Sequence, residues 1–113
     1  MIEPGQHPTS LTVKWMDKIL TVEDIIPKIR EYAGQHRVNF NERNTESVSR
    51  QIYKAYLKYH DPNVYAGDFV REFANDSVKG AMAYADNVNQ RGLIVWHYYF
   101  YNCVPGDWRE RLK

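Results

Sequence analysis

The chain lacks most of the patterns that would assign it a chemistry. It has one cysteine, Cys103, in 113 residues, so neither an internal disulfide nor a cysteine-based zinc site can form. Beyond Gly5, its glycines Gly34, Gly67, Gly80, Gly92 and Gly106 stand alone, which excludes a glycine-rich phosphate loop. The histidines, His7, His36, His60 and His97, have no metal-ligand spacing of the H-E-x-x-H kind. No metal and no other cofactor is therefore expected. No apolar run approaches the roughly 18 residues that a membrane span needs, and mean hydropathy is −0.65. The first residues, Met1 to Gly5, carry neither a basic stretch nor an apolar one of the secretory type. The expectation is a cytoplasmic protein without a membrane role. Asn75-Asp76-Ser77 fits the glycosylation pattern by chance in that setting.

Charge of one sign is also missing. Fifteen basic and fourteen acidic residues leave a net +1, which gives no ground for a general polyanion binder. The distribution is uneven. Residues 28–60 hold seven basic side chains against three acidic, and residues 61–90 hold two against five. Such neighbouring segments either neutralise one another within the fold or present one sign to a partner.

What the chain does have is apolar and aromatic content, 43% and 14%, in a length suited to one domain. Residues 1–9, with Pro4, Gly5 and Pro8, read as a flexible arm ahead of a helical domain spanning 10–113. Leu11, Trp15, Met16, Ile19 and Leu20 follow helical spacing, although Leu11, Val13 and Trp15 also alternate as in a strand. A helix over 21–36 is predicted, capped by Thr21 or Asp24, with Ile25, Ile26, Ile29, Tyr32 and Ala33 on one face. If Asp24 is the cap, Pro27 falls in the first turn, where its missing N–H costs nothing. The strongest periodicity is Val48, Ile52, Ala55, Tyr56 and Tyr59, predicting a helix over 45–60 that stops before Pro62. A further stripe, Phe69, Val70, Phe73, Ala74, Val78, Ala81, Met82 and Ala85, predicts a helix over 68–86 that Asp76-Ser77 can divide in two. Residues 92–104 are apolar on every face. They read as a buried helix, the alternative being a strand paired with 11–15. Asp107 is placed to cap a short basic turn, 108–113. The predicted fold is all-α, a compact bundle of four to five helices; the alternative is α+β with a two-stranded ribbon.

Two surfaces stand out as candidate sites. Trp96, His97, Tyr98, Tyr99, Phe100 and Tyr101 are consecutive, and consecutive residues point in different directions on a helix or a strand. Some must face outward, where aromatic side chains mark contact sites. Trp96, Tyr98, Tyr99 and Tyr101 are thus expected anchors for a protein partner or a second copy, with Trp108, Arg109 and Arg111 as rim. The second surface is the row Arg50, Lys54 and Lys58, extended by Arg43 and flanked by Tyr53, which suits nucleic acid through phosphate neutralisation and stacking. Its bland reading is a solvated helix face.

No nucleophile, base and oxyanion site come together in the sequence. Cys103 and His97 are six residues apart, a spacing that does not stack them on a helix, and Cys103 reads as a small buried hydrophobe. The leading expectation is a non-catalytic interaction module, an adaptor, inhibitor or regulatory subunit. Nucleic-acid binding is the alternative.

Overall fold

The computed structural model describes residues 9–113. The described residues form eight helices and no strand: α1 (Ser10–Met16), α2 (Val22–Gln35), α3 (Glu42–His60), α4 (Asp68–Ala74), α5 (Val78–Tyr84), α6 (Asn87–Arg91), α7 (Leu93–Cys103) and α8 (Trp108–Leu112). The all-α expectation holds. The count of four to five helices is corrected to eight, and the ribbon alternative is replaced by helices at both 11–15 and 92–104. Most of the expected arm lies outside the described residues; Thr9, its last member, is the N-cap of α1.

Short polar side chains set the helix boundaries. Thr21 caps α2, and Asp24 bonds back to the Thr21 backbone N–H in a reciprocal capping box. With Thr21 as the cap, Pro27 sits beyond the first turn, so the Glu23 carbonyl loses its intrahelical donor. Asn41 and Asn44 make the same box at the start of α3. That box begins the helix at Glu42, three residues before the predicted start at 45. The 68–86 segment does divide in two: Asp76 adopts φ +59°, and the Ser77 side chain accepts the Gly80 N–H to start α5. α1 ends early because Lys18 takes φ +61°. Leu20 still reaches the core from the following loop, while Met16 and Ile19 stay exposed.

The missed element is α6, a five-residue helix capped by Asp86 with no apolar stripe to announce it. It meets α7 at Gly92, where a Cβ would collide with the Phe40 ring. Only glycine permits that approach.

The interior is dominated by rings gathered around α7. Trp15 from α1 sits edge-on to Tyr56, Tyr59 and Phe100, and Trp96 stacks on Phe100 while meeting Phe69 and Phe73 of α4 edge-on. Phe100 also contacts Trp108 of α8. The indole N–H of Trp15 donates to the Tyr99 hydroxyl at 3.1 Å. That of Trp96 donates to Asn89 Oδ1 at 2.8 Å, and the Asn89 amide donates to Gln51 Oε1 at 2.8 Å. The sequence-predicted α3 face, Val48, Ile52, Ala55, Tyr56 and Tyr59, is buried throughout, and Ile25, Ile29, Tyr32 and Ala33 of α2 join it.

These contacts separate core rings from surface rings. Trp96→Ala is expected to cost about 3–5 kcal/mol, and Tyr99→Phe, which strands the Trp15 indole N–H, about 1–3 kcal/mol. Tyr101→Ala should change stability by no more than about 0.5 kcal/mol. Urea unfolding of the three variants measures the ranking; an unchanged midpoint for Tyr99→Phe would show that the Trp15 bond contributes nothing.

Candidate functional site

Sequence places six aromatic or imidazole side chains in a row, and the helical turn sorts them. Val95, Trp96, Tyr99, Phe100 and Cys103 of α7 point into the core. Ile94, His97, Tyr98 and Tyr101 form the opposite face, at i, i+3, i+4 and i+7. Ile94 is 41% exposed, Tyr98 37% and Tyr101 66%. The partner-anchor expectation is therefore corrected for Trp96 and Tyr99, both 0% exposed, whose rings and polar atoms are engaged within the chain. Tyr98 and Tyr101 remain at the surface. The Tyr98 ring packs on His36, the C-cap of α2, at 4.2 Å between centroids, and the Tyr101 ring stacks on His97 at 6.0 Å. Both outward rings are thus held in place by neighbours.

Beside this face opens a cleft of about 380 Å³, lined by Phe73, Val78, Ala81, Leu93, Ile94 and His97, with Asp76, Ser77 and Arg109 at the α4–α5 turn and α8. Val78, expected in the core stripe, is 66% exposed there. The turn at Asp76 rotates α5 relative to α4, so one continuous sequence stripe does not become one continuous buried face. Neither Val78 nor Ile94 was legible as a site residue, because Val78 falls on a helical apolar stripe and Ile94 lies in a run that is apolar on every face. The i, i+3, i+4, i+7 pattern of 94–101 becomes informative only once the buried side of α7 is known.

The expected rim residues of α8 divide similarly. Trp108 is 8% exposed and packs on Phe73 and Phe100, which corrects its place as a surface contact. Arg111 serves the fold. Its Nε donates to Asp107 Oδ2 at 2.8 Å, its guanidinium lies 4.6 Å from the Tyr59 ring centroid, and the Tyr59 hydroxyl donates to Asp107 Oδ1 at 2.6 Å. Asp107 makes no side-chain cap to α8, contrary to expectation, because its carboxylate is taken up by this latch to α3. Arg109 borders the cleft, with its guanidinium over the Trp108 ring at 4.5 Å.

The basic row lies on α3. Arg43, Arg50 and Lys54 line a shallow groove with Glu42, Glu46, Ser47 and Gln51. Arg50 is bound to Glu46 at 2.9 Å and Glu42 to Arg30 at 3.0 Å. Three cations against two carboxylates leave one net positive charge along this groove. Tyr53 is half-buried with its ring against Tyr56, and Lys58 is outside the groove.

Cys103 is buried, its thiol 3.6 Å from the Tyr32 hydroxyl. Burial pushes that thiol above its usual range, against the hydrogen bond from Tyr32, so the reactive thiolate is disfavoured. His60 donates from Nε2 to the Trp15 carbonyl, not to its neighbour Asp61, which accepts the Asn63 N–H instead. Among the described residues no group of three or more His, Cys, Asp or Glu converges, and no helix is long and apolar enough to cross a membrane. No family model matches the chain, and neither a curated protein nor a solved structure matches it.

The latch carries a pH dependence. Burial works to raise the Asp107 carboxyl, but the bonds from Tyr59 and Arg111 outweigh it and hold the group below the ordinary carboxylate range. A depressed folded-state value stabilises the fold above the unfolded carboxylate value, near 3.9, and that stability is lost as pH falls through the folded value. Asp107→Asn should therefore be less stable than the parent by about 1 kcal/mol at pH 7, a figure reduced for solvent screening. The gap should narrow below about pH 4. Urea midpoints at the two pH values test this, and a gap independent of pH would remove the latch as its source.

Proposed function

We propose that this chain is a non-catalytic interaction module, an adaptor, inhibitor or regulatory subunit, that docks a short segment of a partner protein on the outward face of α7. The observation that carries the reading is the alignment of Ile94, His97, Tyr98 and Tyr101 on one side of a helix whose other side is sealed in the core. Tyr and Ile give contact area at small entropic cost when their rotamers are already fixed. The packing of Tyr98 against His36 and the stacking of Tyr101 on His97 supply that fixation for the two tyrosines.

Size argues for a segment over a large interface. With aromatic side chains offering about 150–250 Å² each, the exposed parts of Ile94, Tyr98, Tyr101 and the adjoining Val78 amount to roughly 400 Å². Stable interfaces take about 800 Å² from each partner. The face therefore favours transient docking of a heterologous segment over an obligate homodimer. The nucleic-acid alternative gains no support from α3, where carboxylates interleave with the cations and Tyr53 is turned against Tyr56.

A photo-crosslinking residue at position 101 should give a discrete protein adduct in the native cytoplasm, one that Ile94→Glu abolishes. The same residue at position 65, equally exposed at 66% but on the α3–α4 loop, is the control. Identical adducts from both positions would overturn the reading, as would a stable dimer in light scattering at micromolar concentration.

A further inference from the structure

We propose that the cleft between α5 and α7 is a ligand site for a small molecule with an apolar body and a single carboxylate, the carboxylate held by Arg109. The inference goes beyond the docking reading and does not depend on it. Its volume of about 380 Å³ falls in the range of small-molecule pockets, which are mostly apolar with a few polar groups that fix orientation. Phe73, Val78, Ala81, Leu93 and Ile94 supply the apolar walls.

Arg109 is the orienting group. Its guanidinium lies over the Trp108 ring, and Nη1 reaches the carbonyls of Phe73 and Ala74 at 3.4 Å each. Those carbonyls belong to the last turn of α4, which favours a cation there. A guanidinium has five N–H donors in a fixed fork. Among the described residues only Nη1 has protein acceptors, so Nε and Nη2 are left for a carboxylate, the planar partner that the fork fits best. The one competitor is Asp76, 3.8 Å from Nη1 and itself 83% exposed, a contact of the weak, solvent-screened kind. A single cation partly offset by Asp76 suits a monoanion. A phosphate, with a charge of about −2, would call for more positive charge than one guanidinium beside Asp76 supplies.

Asp76 also provides the test. It sits at φ +59°, which asparagine tolerates as well as aspartate does, so Asp76→Asn removes the competing charge without disturbing the turn. The probes are 4-phenylbutyrate and its neutral amide, titrated into the pure ¹⁵N-labelled protein and followed by amide chemical shifts. The acid should move the resonances of Ala81, Ile94, His97 and Arg109 and bind about five- to tenfold tighter than the amide. Arg109→Gln should erase that difference, and Asp76→Asn should tighten the acid about two- to threefold while leaving the amide unchanged. N-acetyl-phenylalanine, which stands in for a partner's C-terminus, should bind more weakly because its amide must be desolvated against apolar walls. Equal binding of acid and amide, or shifts outside the cleft, would overturn the site, and preference for N-acetyl-phenylalanine would overturn the assignment to a free acid. The Asp76→Asn arm retains its force if Arg109→Gln weakens the fold.

Discussion

Two buried indoles decide how α7 sits. A helix that is apolar on every face has no hydrophobic reason to prefer one orientation, since burying any side gains similar area. Polar atoms break the tie. A fully buried Trp N–H must find an acceptor. Trp15 finds the Tyr99 hydroxyl across the α1–α7 contact, and Trp96 finds Asn89, which in turn reaches Gln51 on α3. These bonds come from different neighbours and constrain the same helix, so rotation of α7 about its axis would leave donors stranded at about 1–3 kcal/mol each. The surface face of Ile94, His97, Tyr98 and Tyr101 is the complement of that choice.

The rest of the architecture follows from enclosing α7 on one side only. α4 and α8 cover Trp96 and Phe100 through Phe69, Phe73 and Trp108, α1 covers Tyr99, and α2 meets Cys103 and Tyr98 through Tyr32. α5 would complete the ring, but the positive φ at Asp76 turns it away from the line of α4. The result is a cleft with an exposed valine on one wall and Ile94 on the other. The Tyr59–Asp107–Arg111 latch holds α8 to α3 from outside the cleft, which leaves the neighbouring Arg109 to face it.

Legibility in the sequence tracked the number of independent signals at each element. α3 was readable because five apolar positions kept one phase from Val48 to Tyr59 and Pro62 marked its end. α2 was readable from its face and from Thr21, although the reciprocal bond of Asp24 made that residue look like a cap in its own right. α6 carried no periodic apolar residues, so its only mark was Asp86. For α7 the element was legible and its facing was not, because the deciding interactions link Trp15 to Tyr99 and Gln51 to Asn89 across separations of 84 and 38 residues. The cleft depends on that facing and on a backbone torsion at Asp76, and neither has a local sequence signature.

The alternating charge of the chain has a similar resolution. Lys14 bonds Asp24, Arg30 bonds Glu42 and Arg109 approaches Asp76, so opposite charges pair across element boundaries, although none of these pairs joins 28–60 to 61–90. Exposed pairs of this kind contribute little stability. Within the α3 row, Arg50 turns to Glu46 on its own helix, one turn earlier, so the i, i+4 spacing that makes cations line up also seats a carboxylate among them. Charge patterning is thereby consumed locally. Apolar area is left uncovered in several places among the described residues, and along α7 it is Ile94, Tyr98 and Tyr101 that share one helix face.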